Sequence, residues 1–73
     1  VNRDVTIIYE WGEDGWWIAE VAEVPGAISQ GRTKEEAKGN VLDALQELLI
    51  ARRDLAIARA KDPGDIETVA FAA

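Results

Sequence analysis

The sequence contains no cysteine, no histidine and no methionine. Without cysteine no disulfide forms, and the chain carries no sign of secretion. Without cysteine or histidine the common zinc ligand sets are excluded. Ser–His–Asp and Cys–His nucleophiles are excluded as well, because both need an imidazole. Any catalysis would rest on carboxylates, Tyr9, lysine, arginine or the single serine, Ser29. No cofactor or metal site is expected.

Cations are scarce. Eight Lys and Arg stand against 14 Asp and Glu, for a net charge of −6. Nonspecific nucleic-acid binding needs cationic groups that displace phosphate counterions, so no direct nucleic-acid partner is expected. An acidic surface favours solubility and steers encounters with a basic partner. Long apolar runs are missing too. None approaches the roughly 18 residues of a membrane span, and no signal-peptide pattern is read at the start. No membrane partner and a cytoplasmic location are expected.

What is present suits one small folded domain over residues 1–73. Hydrophobic residues make up 48% of the chain, too many for a disordered segment. Residues 5–11 alternate Val5, Ile7, Tyr9 and Trp11 with Thr6, Ile8 and Glu10, a period of two that reads as a strand. Gly12-Glu13-Asp14-Gly15 supplies turn chemistry, with Asp-Gly tolerating positive φ. Residues 16–22 read as a second strand, with Trp17, Ala19 and Val21 on one face and Trp16, Ile18 and Glu20 on the other. Val24-Pro25-Gly26 breaks the run, and residues 27–30 form a short third strand.

Thr33 and Glu36 then stand at capping-box spacing, with Thr33 capping the first turn and Glu36 reaching back to Thr33. Ala37, Val41, Leu42, Leu45, Leu48 and Leu49 recur every three or four residues, as one wide apolar helix face. Gly39 interrupts it. Helical propensity continues to about Ala60, where Arg52, Arg53, Arg59 and Lys61 complement the helix dipole. Asp62-Pro63-Gly64 ends the helix. Residues 66–71 read as a fourth strand, Ile66, Thr68 and Ala70 alternating with Glu67, Val69 and Phe71.

The order β-β-β-α-β gives an α+β fold. Three strands form an antiparallel meander. A right-handed crossover through one long helix, packed on one face, lays the fourth strand parallel to the first, in spatial order 3-2-1-4. A helix of about 28 residues spans about 42 Å, and a seven-residue strand about 23 Å. The sheet therefore does not cover the whole helix, and one helix does not cover both faces of the sheet. A homo-oligomer is expected, most simply a dimer, with Leu55, Ile57 and Ile18 as interface residues.

Carboxylates are the chemistry the chain has in quantity. A Mg²⁺-dependent nuclease of ribonuclease H-like layout would want acids on strand 1, on the helix and at the end of strand 4. Glu10 suits the first place and Asp43 or Glu47 the second, but the third is missing. Scattered acids in an acidic protein are ordinarily solvated surface, so no enzyme activity is expected. Trp11, Trp16 and Trp17 gather around one hairpin turn. Trp17 belongs to the core by its face. Trp11 and Trp16 suit the anchoring of a partner.

Glu13-Asp14-Gly15-Trp16-Trp17-Ile18-Ala19, then Val24-Pro25-Gly26, then Gln30-Gly31-x-Thr33-x-Glu35-Glu36-Ala37, resemble the HicB-like antitoxin family, whose fold is a partial ribonuclease H-like one. Members often carry proline where Ala22 stands here. The resemblance implies a toxin–antitoxin role, in which the domain masks a small basic HicA-like ribonuclease toxin by protein–protein binding. An acidic, Trp-bearing surface complements such a partner. Trp11, Trp16, Glu20 and Glu23 are the residues expected to bind it. No separate DNA-binding domain is expected in this chain, and hence no autoregulatory DNA binding by it. The alternatives are a self-associating domain without a toxin partner, and the carboxylate nuclease.

Overall fold

The computed structural model describes residues 4–70 and is α+β: three antiparallel strands followed by one long helix. Strands β1 (Ile7–Trp11), β2 (Trp17–Val21) and β3 (Ile28–Gly31) form a sheet in the order β1-β2-β3. Tyr9 pairs with Ala19, and Ala19 with Ser29. Helix α1 (Lys34–Ala58) packs on one face, and a 3₁₀ turn (Pro63–Asp65) follows it.

Both turns use the residues that carry turn chemistry. In the first, Gly15 sits at φ +85° and donates to the Gly12 carbonyl at 3.2 Å, while Gly12 donates to Trp16 at 2.7 Å. In the second, Pro25 and Gly26 hold the two central positions, Gly26 at φ +96°, and Ala27 N–H closes on Val24 O at 3.1 Å. Proline presets the first central φ and glycine accepts the positive second one, which defines a type II turn.

The helix start follows the capping prediction with one difference. Thr33 Oγ1 accepts from Glu36 N–H at 3.1 Å, but Glu36 Oε1 accepts from Arg32 N–H at 3.2 Å rather than from Thr33. The carboxylate reaches one residue further back. Gly31 makes the close approach of strand to helix: a Cβ there would stand 2.5 Å from the Ala37 nitrogen.

The core is thin. Ala19, Val21, Ala27, Ala37 and Val41 are fully buried, with Ile7, Tyr9, Trp17, Val24, Leu45 and Leu48 packed partly buried around them. Leu42 and Leu49, expected on the covered helix face, are exposed. They lie on the flank of α1 away from Asn40, whose side chain holds the β3 edge. Three strands are too narrow to cover so wide an apolar arc. Gly39 faces open space.

The fourth strand is not formed. Residues 66–70 make no strand and are exposed; Phe71, the end of that expected strand, lies outside the described residues. The helix explains this. Arg52 Nη2 donates to Pro25 O at 2.9 Å where α1 passes the end of the sheet. Ala58 lies six residues beyond, about 9 Å further along the axis. The chain thus leaves the helix past the sheet, and an unpaired segment has no ladder to offset its ordering entropy. The helix ends at Ala58 with no basic residue in its last turn. Arg59 is its C-cap and Lys61 lies beyond it, while Arg52 and Arg53 stand more than one turn before the helix end.

Candidate functional site

Alternation along the strands splits the sheet into two faces. Ile7, Tyr9, Trp17, Ala19 and Val21 face the helix. The other face carries cross-strand pairs Ile8–Glu20 and Glu20–Ile28 in one row, and Glu10–Ile18 and Ile18–Gln30 in the next. Arg32 lies 4.3 Å over the Trp16 ring beyond them. Isoleucines and carboxylates therefore form a chequered surface. Ile8 and Ile28 are each 53% exposed. Ile18, Ile28, Ser29 and Gln30 line a shallow open depression in it.

Charge is segregated along the chain. Residues 4–31 hold Asp4, Glu10, Glu13, Asp14, Glu20 and Glu23 and no lysine or arginine. The acidic excess belongs to the sheet and its turns, while α1 mixes both signs. Strands β1 and β2, which carry Glu10 and Glu20, contain no lysine or arginine.

The four residues expected to bind a partner do not converge. Glu20 is central on the outer face and exposed. Trp16 is on the same face, half-buried under Arg32. Trp11 sits at the hairpin end on the helix side of the sheet, 56% exposed, and meets Trp17 edge-on at 5.1 Å. Glu23 is in the Val21–Val24 turn just ahead of Pro25, at the opposite end of the strands. Its Oε1 accepts the Thr6 N–H at 2.7 Å. Bonds from the Thr6 hydroxyl, and then from its N–H, hold the Glu23 carboxyl below the usual carboxylate range. Its role is to staple the first strand's entry to the turn.

The expected interface residues divide likewise. Leu55, 60% exposed, and Ile57 lie on the part of α1 beyond the sheet, whereas Ile18 is half-buried on the outer face. The acids weighed for nuclease chemistry are separated as well. Glu10 is on the outer face, and Asp43 and Glu47 are on the helix across the sheet. Among the described residues no group of three or more Asp or Glu could hold a metal ion. No described helix is long and apolar enough to cross a membrane.

Sequence reasoning missed Lys34. Its ammonium stands 4.8 Å from the Trp17 ring and 5.7 Å from that of Tyr9. The attraction of a cation to ring faces offsets the cost of a positive charge at a helix N-terminus. Ile28 was missed as a surface residue, although period-two counting along its strand places it on the outer face with Ile8 and Ile18.

Two curated proteins are similar to the chain. A UPF0150 protein of Thermoplasma acidophilum is 39% identical over 41 residues, which is 56% of this chain and 59% of that protein. A UPF0150 protein of Synechocystis sp. is 41% identical over 46 residues, 63% of this chain and 64% of that protein. The matches thus span about six tenths of the length of these relatives. The homologues found are UPF0150 proteins, a family of small proteins. No family model matches the chain, and no solved structure matches it.

Proposed function

We propose that the chain is a HicB-like, antitoxin-type binding module, not an enzyme, and that its outer sheet face takes a small basic protein of the HicA-like toxin class and masks it. The observation that carries this reading is the segregation of charge: six carboxylates and no cation in residues 4–31, with Glu10 and Glu20 set among Ile8, Ile18 and Ile28. Carboxylates steer a basic partner into register, and the isoleucines supply the apolar area that holds it. The resemblance of the Trp-bearing hairpin, the Val-Pro-Gly turn and the helix start to the HicB-like pattern agrees with this. So does the similarity to UPF0150 proteins. The binding set becomes Glu10, Glu20, Ile8, Ile18, Ile28 and Trp16; Trp11 and Glu23 lie outside it.

Pull-down of the tagged protein from its native cells with mass spectrometry identifies the partner. A small basic protein in near-stoichiometric amount supports the reading. Calorimetric titration of that protein against Glu10→Lys/Glu20→Lys is expected to weaken binding at least tenfold and flatten its salt dependence. Unchanged affinity would remove this face from the proposal.

A further inference from the structure

The chain is far more extended than its mass requires. It exposes 5842 Å², whereas a compact monomer of 8.0 kDa exposes about 4450 Å². Its radius of gyration is 15.6 Å, against about 11 Å for a compact chain of this length. The excess area, about 1400 Å², exceeds the roughly 800 Å² that one partner contributes to a standard protein interface.

The excess is localised. The 25 residues of α1 rise about 37 Å, beside strands of about 17 Å. Leu49, Ile50, Leu55 and Ile57 are exposed on its far half, and Ile66 and Val69 beyond it. One sheet edge has a helix side chain bonded to it: Asn40 Nδ2 donates to Gln30 O at 2.8 Å along β3. The other is open. Thr6 O accepts from Ala22 N–H, and Gly12 N–H donates to Trp16 O, so the even-numbered residues of β1 bond to β2. The alternation of an antiparallel ladder then turns the N–H and C=O of Ile7, Tyr9 and Trp11 outward. On the helix side of this edge, Leu42 and Leu49 of α1 are exposed.

We propose that two copies of this chain close each other's sheets, each laying its residues 66–70 along the β1 edge of the other as a fourth strand. The segment has the alternation of a strand, and Ile66 already holds an extended backbone at φ −104° and ψ 127°. It is exposed and forms no strand with the sheet of its own chain. The 50 Å long axis of the chain exceeds the length of the helix itself. A two-fold arrangement covers exposed apolar side chains of both copies and removes both open edges at once. This inference does not rest on the toxin reading, since it uses the opposite face and edge of the sheet.

Light scattering of the full chain at about 50 μM, with hydrogen exchange on the β1 amides, tests it. The expected result is twice the 8.0 kDa chain mass and slow exchange at Ile7, Tyr9 and Trp11. Thr68→Pro/Val69→Pro removes one donor from each side of the segment, and neither side chain is buried in the single chain. It is expected to give the single-chain mass, with fast exchange at those three amides and an unchanged helical CD signal. Ile8→Asp, on the outer face, is expected to stay dimeric. A monomer with slow β1 amides would mean that each chain closes its own edge, and would overturn strand exchange. So would a dimer with fast β1 amides, a proline variant that stays dimeric, or a wild-type monomer with fast amides.

Discussion

Asn40 and Gln30 bind helix to sheet across ten residues of chain: the Asn40 amide donates to the Gln30 carbonyl at 2.8 Å. The bond uses an outward carbonyl of β3, one that any further strand on that edge would need. Asn40→Ala removes it at the surface and is expected to cost about 1 kcal/mol, the usual net worth of such a bond. Urea unfolding followed by CD measures the change.

Two glycines are expected to respond oppositely to alanine. At Gly31 the new Cβ would meet the Ala37 nitrogen at 2.5 Å and the Glu36 carbonyl carbon at 2.8 Å. Backbone atoms must move, so Gly31→Ala is expected to cost about 1–3 kcal/mol, as overpacking does. At Gly39 nothing stands within 4 Å. Gly39→Ala is expected to stabilise by about 0.5–1 kcal/mol through helix propensity alone. Thermal melts of the two variants against the parent separate the cases.

Glu23 gives an acid-side dependence. Its carboxyl is held below the ordinary value by the Thr6 hydroxyl and N–H. A group with a depressed folded pKa binds fewer protons folded than unfolded. Its stabilisation is therefore present above the unfolded value, about 4.3, and is lost as pH falls through the lower folded one. Glu23→Gln is expected to melt lower than the parent at pH 7 and to converge with it in the acid limit. Melts between pH 7 and pH 2 show the convergence.

Lys34→Met keeps the aliphatic stem and removes the charge over Trp17 and Tyr9. Loss of the cation–ring attraction costs about 0.5–1 kcal/mol at an exposed site, and relief of the dipole conflict returns part of it. The expected outcome is a stability change under about 1 kcal/mol with a clear shift in tryptophan emission, read by fluorescence in the native buffer.

The local devices were legible in the sequence. Asp14-Gly15, Val24-Pro25-Gly26 and Thr33 with Glu36 each act within about four residues, and each appears where its chemistry predicts, except that the Glu36 carboxylate takes the Arg32 N–H in place of that of Thr33. Residues 66–70 have the same quality of pattern as β1 but form no strand, because a strand needs an edge supplied from elsewhere. Leu42 and Leu49 show the same limit: a helix pattern gives the width of an apolar arc, not how much of it a sheet covers. In the site, Trp16, Ile18 and Glu20 fall on one face by counting in twos. Glu23 does not follow, since it lies in a turn where that count stops. The Lys34 contact depends on where the helix meets the sheet, which no local pattern encodes.

The aromatic residues at the first hairpin turn have an optical consequence. Tyr9, Trp11, Trp16 and Trp17 crowd one pole of the chain, and no Trp or Tyr follows Trp17. Intrinsic fluorescence and near-UV ellipticity therefore report on that pole alone. Far-UV ellipticity is dominated by α1, whose outer half lies at the other pole. Fraying of that half would lower the far-UV signal while emission stays constant, so non-superimposable melting curves would register the helix end loosening ahead of the sheet.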